Sequence, residues 1–158
     1  MESLLDMMSS YTSAVSTEPE FPRISWQSFH AQFAADFDDT NNISLVTFVK
    51  CGTLNVLIPG DLEEAGWLHH LESPLFRTPL ADVNVFVASH HGRENGYCQE
   101  VFDYARPAVV VFSDSPIVHG TQEMASVYAS HARGVQFNGE TRYVLSTRSD
   151  GDFGWDNL

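Results

Sequence analysis

Two stretches of the chain place metal-binding side chains at the end of an apolar run. In Leu57-Ile58-Pro59-Gly60-Asp61 a strand-like segment stops at Gly-Asp, directly before a helix-like one. In Val85-Phe86-Val87-Ala88-Ser89-His90-His91-Gly92 a second strand-like segment stops at Ser-His-His-Gly. A carboxylate or imidazole at a strand's carboxyl end reaches into the crevice above an α/β sheet, where ligands collect. Oxygen from Asp and nitrogen from His suit a divalent ion such as zinc, manganese or iron. Each motif also has a plain structural use: Asp61 as the N-cap of a helix over 62–71, and Ser-His-His-Gly as a polar turn. Two strands of one domain ending in this way shift the balance toward a metal site carried on loops of a rigid sheet, drawing on Asp61 and on His90 or His91. Adjacent side chains of an extended chain point to opposite sides, so one of the two histidines is expected to face the crevice and the other to turn away.

The remaining reactive side chains read more simply. His69 and His70 fall within a helical stretch, as exposed or partly buried helix residues, and His30 and His131 read as helix-face residues. Arg93 and Asn95 have the chemistry to meet an anionic substrate, with a loop-holding role as the default. Cys51 and Cys98 have no base visibly paired with them and read as small packing residues rather than nucleophiles.

Short β-branched runs and helical stretches alternate to position these residues, which makes the class α/β. Strands are expected over 43–51 and 53–58, joined by a tight turn at Gly52, and over 82–89 and 108–113, the latter two covered on both faces. Helices are expected over 24–37, 62–71, 97–105 and 121–133, the last ending at Gly134 as its C′ residue. A tail hairpin is expected from 142–147 and 153–155. Residues 1–24, rich in Ser, Thr, Glu and Pro, form a loosely ordered N-terminal arm, and 25–158 form the domain.

Composition narrows the partners. The chain has 158 residues, 43% of them hydrophobic, and 8 Lys+Arg against 21 Asp+Glu give a net charge of −13. That balance disfavours a basic groove for nucleic acid, and Lys50 is the only lysine. No apolar run reaches the ~20 residues of a membrane span and the N-terminus lacks a basic signal region, so a soluble, unprocessed chain without a membrane partner is expected. Two cysteines are too few for a disulfide framework, and a reducing cytoplasm fits them.

In order along the chain, Asn42–Val46, Ile58-Pro59-Gly60-Asp61, Asp82…Ser89-His90-His91-Gly92 and Pro107–Ser113 resemble the second half of a metallo-β-lactamase-fold hydrolase of the ComEC-like branch, over about Asn42 to Trp155. The resemblance implies half of an αββα sandwich: a mixed sheet with flanking helices. It also implies that Asp61 bridges two metal ions and that His91, with His90 the less favoured, ligates one of them, zinc ahead of manganese or iron. The chemistry implied is ester or phosphodiester hydrolysis by metal-activated hydroxide. The same resemblance suggests a place beside the site for His119. The departure matters as much. The family's His-Xaa-His-Xaa-Asp-His motif, which supplies most ligands and the acid/base Asp, is not found anywhere in the chain. One Asp and one or two histidines fall short of a catalytic set. The expectation is therefore a half-domain, inactive alone, whose partner is a chain bearing the missing half. The alternative is a non-catalytic binding or assembly module, for which a homodimer would bury the exposed sheet face.

Overall fold

A computed structural model describes residues 23–29, 40–114 and 123–147. Residues 1–22, 30–39, 115–122 and 148–158, with His30, His119 and the expected 153–155 strand, lie outside the described residues.

The chain is α/β. A mixed six-stranded sheet holds β1 (Ile24–Phe29), β2 (Val46–Cys51), β3 (Leu54–Ile58), β4 (Val85–Val87) and β5 (Val109–Phe112). A separate hairpin of β6 (Val135–Phe137) and β7 (Glu140–Arg142) then precedes the sixth sheet strand, β8 (Val144–Ser146). The order is β1-β2-β3-β4-β5-β8, antiparallel from β1 to β3 and parallel from β3 to β8. Helices α1 (Glu64–Leu71) and α2 (Pro74–Leu80) carry the crossover from β3 to β4, and α3 (Ala125–Ala129) lies between β5 and β6.

Period-two alternation sorts the sheet residues into two faces. Val46, Phe48, Leu57, Phe86, Val110, Phe112 and Val144 are buried on the first face. The three described helices stand on it: Trp67 of α1 stacks on Phe86 with ring centroids 5.8 Å apart, Phe76 of α2 meets Phe48 at 5.6 Å, and Tyr128 of α3 meets Phe112 at 5.3 Å. On the second face Val49, Val56, Val85, Val87, Val111 and Leu145 are only half-buried. On the first face β4 and β5 are covered by the described helices; on the second, Val109 is buried and Val85, Val87 and Val111 are half-buried.

Other expectations are corrected. Residues 24–29 are a strand, not the start of a helix: Ile24 and Trp26 share a face at period two, and the segment pairs antiparallel with β2 from Ile24↔Cys51 to Phe29↔Val46. The three-to-four spacing of its aromatics mimicked a helical stripe. Within 97–105 only a 3-10 segment, Gln99–Asp103, forms, cut short ahead of Pro107, which disfavours helical backbone at Arg106. α3 ends at Ala129, earlier than expected, and Gly134 (φ 86) comes after an irregular stretch. α2 was not anticipated, because Pro79 inside Pro74–Leu80 reads as a helix breaker. The hairpin near the C-terminus turns at Asn138-Gly139, both left-handed (φ 50 and 85), the Asn-Gly signature of a two-residue turn. The Gly52 turn between β2 and β3 is as expected. No helix among the described residues is long and apolar enough to cross a membrane.

Candidate functional site

Parallel pairing of β3, β4 and β5 brings three strand ends to one rim of the sheet, in the register Val56↔Val85↔Val109. The loops leaving these strands are thereby held against one another. The Gly60 carbonyl accepts the His90 N–H at 3.0 Å, and the Val111 carbonyl accepts the Ala88 N–H at 2.8 Å. The fully buried Ser89 hydroxyl reaches the carbonyls of Gly60, at 3.2 Å, and Leu62. A hydroxyl buried there without a partner would cost about 1–3 kcal/mol, so Ser89 acts as a rivet between the two loops.

Beyond Ser89 the chain turns sharply. His90 (φ 47) and His91 (φ 58) both take left-handed backbone, which is uncommon for residues with a Cβ and strained by about 1–2 kcal/mol each. Gly92 (φ 77) completes the turn; a Cβ there would lie 2.0 Å from the Phe112 ring. Only glycine fits.

This turn sends the two histidines to different partners. His91 Nδ1 is 2.7 Å from the Ser113 carbonyl oxygen, and Nε2 is 3.5 Å from Asp61 Oδ1. A carbonyl only accepts, so Nδ1 carries a proton; were the ring neutral, Nε2 would present a lone pair to Asp61. Nε2 and the Asp61 carboxylate oxygen lie 3.5 Å apart. A proton on Nε2 makes this an ion pair, and a metal ion between the two atoms is the alternative. The spacing is compatible with the latter: two ligands about 2.0 to 2.1 Å from a tetrahedral zinc lie about 3.3 Å apart. A carbonyl behind the ligating histidine is the usual support for such a ring. Both side chains are about half exposed, at 49% and 47%, so an ion can enter from solvent.

His90 turns the other way. Its Nε2 accepts from Arg93 Nη1 at 3.5 Å and its Nδ1 lies 3.2 Å from Glu63 Oε1. The same Glu63 oxygen accepts from Asn95 Nδ2 at 2.5 Å and from Asn41 Nδ2 at 3.2 Å. Arg93 and Asn95 are thus held within the loop. Asp61 does not cap α1: Glu63 occupies the N-cap position without a side-chain cap bond, and the buried Asn42 accepts the Gly66 N–H at 2.7 Å instead. Sequence reasoning missed Glu63, Ser89 and Asn42. Of these only Ser89 had a local signal, its place in the Ser-His-His-Gly run.

Among the described residues the donor count at the rim is two. Among the described residues no three His, Cys, Asp or Glu side chains converge as a metal group. His69 is half-buried on α1, and His70 is buried with its ring stacked on Phe76, centroids 4.8 Å apart. His131 lies flat on Phe102 at 4.1 Å and meets the Tyr97 hydroxyl at 2.8 Å; burial lowers its pKa, while Asp103 pulls the other way. Burial raises the Tyr97 and Tyr128 hydroxyls, and pushes the Cys98 thiol up to about 12, which keeps it a thiol. Cys51 and Cys98 are both free thiols.

No protein-family model matches the chain, and no curated protein matches it.

Proposed function

We propose that the chain is the C-terminal half of a metallo-β-lactamase-like hydrolase of the ComEC-like branch, half of an αββα sandwich that cleaves an ester or phosphodiester only once its ligand set is completed from outside the chain. The supporting observation is the facing pair of Asp61 Oδ1 and His91 Nε2, 3.5 Å apart, at the carboxyl rim of parallel strands. Zinc, manganese or iron bound there would supply an activated water. The chain's own residues aim the ligands: the Ser113 carbonyl fixes the His91 ring, Ser89 ties the two loops together, and Glu63 with Arg93 holds His90 away from Asp61. The two donors among the described residues are fewer than the three protein ligands and a water that a catalytic ion keeps, and on this reading the isolated chain is inactive. Two free thiols suit a reducing cytoplasm.

Metal content measured by mass spectrometry on the purified chain, alone and mixed with a candidate completing chain, tests this. Weak binding alone, abolished in Asp61→Ala and His91→Ala and tightened at least a hundredfold by the completing chain, is expected. Metal retention indifferent to both substitutions would refute it. The second reading, a non-catalytic binding module, draws on the same two-donor count and predicts that no completing chain raises hydrolysis of a generic phosphodiester above the uncatalysed rate.

A further inference from the structure

The rim where β3 and β4 begin lies opposite the one that carries Asp61 and His91, and there the first face of the sheet changes character. Along β2 the residues of that face are Val46, Phe48 and then Lys50; along β3, read backwards, they are Leu57 and then Asn55. Pairing extends the row onto β1, with Ser25 beside Lys50 and Gln27 beside Phe48. Three strands thus turn polar on the face that elsewhere meets the helices. Lys50 is the one lysine of the chain.

Phe76 of α2 covers Phe48, and beyond that contact a cleft of about 280 Å³ opens between the polar row and the end of α2, where Pro79 and Asp82 line it. That is the small end of the range for ligand cavities. Its sides are tied together: the Asn84 N–H donates to the Asn55 carbonyl at 2.9 Å, Asn84 Oδ1 accepts the Asn55 N–H at 2.8 Å, and Asn55 Nδ2 donates to the Asp82 carbonyl at 3.1 Å. The segment bearing Asp82 is therefore fixed against the strands before any ligand arrives, which lowers the ordering cost of binding.

The cleft holds one charge of each sign, and among the described residues neither Lys50 nor Asp82 makes an ion pair. The Ser25 hydroxyl and the Gln27 amide have no hydrogen-bond partner among the described residues either. A free anion is repelled by a chain of net charge −13, and a free cation finds carboxylates over the whole surface. A ligand that carries both charges brings no net charge into that field and can meet both side chains at once. We propose that this cleft binds a small zwitterion of the α-amino acid class, with its carboxylate on Lys50 Nζ, its ammonium on the Asp82 carboxylate, and Ser25 and Gln27 bonding its polar remainder. The site stands apart from the Asp61/His91 pair and needs no metal.

Thermal melting and calorimetric titration of the full chain with each proteinogenic L-amino acid, at up to about 10 mM, test this. At least one is expected to bind. Its N-acetyl derivative, which lacks the ammonium, and its amide, which lacks the carboxylate, should each bind at least roughly tenfold more weakly. Lys50→Met and Asp82→Asn, both at exposed positions, should weaken binding by a similar factor with an unchanged far-ultraviolet circular dichroism spectrum, whereas His91→Ala should leave it as it was. Absence of binding by every amino acid overturns the site. Binding indifferent to both cleft substitutions overturns its location. Binding that survives N-acetylation but not Lys50→Met makes this an anion site and overturns the zwitterion.

Discussion

His69-His70 and His90-His91 are the same dipeptide in two settings. On α1 the helical rotation between neighbours drops His70 into the core against Phe76 and leaves His69 half-buried. At the end of β4 a left-handed turn splits the pair, with ring centroids 6.4 Å apart, so that His90 joins Glu63 and Arg93 while His91 meets Asp61. The first pair is packing material with ring nitrogens attached; the second is a device for aiming two imidazoles at two carboxylates. Adjacency in sequence carries none of that difference. The backbone conformation and the group facing each ring nitrogen carry all of it.

The harshest way to break the contrast is Gly92→Ala, which forces a Cβ into the Phe112 ring at a left-handed position. It should cost about 3 kcal/mol or more in urea unfolding, with loss of the His91 contact to Ser113. Next, His70→Ala should remove about 2 kcal/mol of stability by emptying a buried, stacked site and leave metal retention unchanged. His91→Ala, at a half-exposed site, should shift stability by no more than ~0.5 kcal/mol and abolish metal retention. If the two substitutions gave the same profile, the division of labour between the pairs would be wrong. Glu63→Ala leaves the Asn41 and Asn95 amides without their acceptor and should cost about 1–2 kcal/mol in thermal unfolding, most of it recovered in Glu63→Gln, whose amide oxygen still accepts.

The smallest expected effect belongs to a third histidine. Burial against Phe102 holds the folded pKa of His131 below its ordinary value, so the unfolded chain takes up its proton first as pH falls. Stability from this group is complete above its unfolded pKa of about 6.5 and declines as pH drops through the lower folded value. Urea midpoints between about pH 7.5 and 5 should fall in the native chain, and His131→Phe should flatten part of that slope.

The middle of the sheet was legible from the sequence because β4 and β5 are apolar runs, β3 nearly so, that stop at polar residues, and a parallel pattern puts those stops on one rim. The edge was not: β1 has an exposed outer face, and its aromatics fit a helical spacing as well as an alternating one. α2 hid behind Pro74 and Pro79, although Pro at a first helical turn is a start signal. At the site, Asp61 and the His-His run were readable as local motifs. Glu63 was not, because its role exists only through Asn41, His90 and Asn95, which the fold gathers from separate segments. The left-handed histidines were equally hidden, since only Gly92 advertises such backbone in sequence.

The change from antiparallel to parallel pairing at β3 has a consequence in time. β2 and β3 close over a two-residue turn, a local event of microseconds, and so Asp61 is presented early. His91 arrives only after α1 and α2 have been laid down and β4 has docked beside β3, a slower, long-range closure. The contact between Asp61 and His91 thus forms only when β4 lies beside β3, so it reports the closure of that one parallel pair.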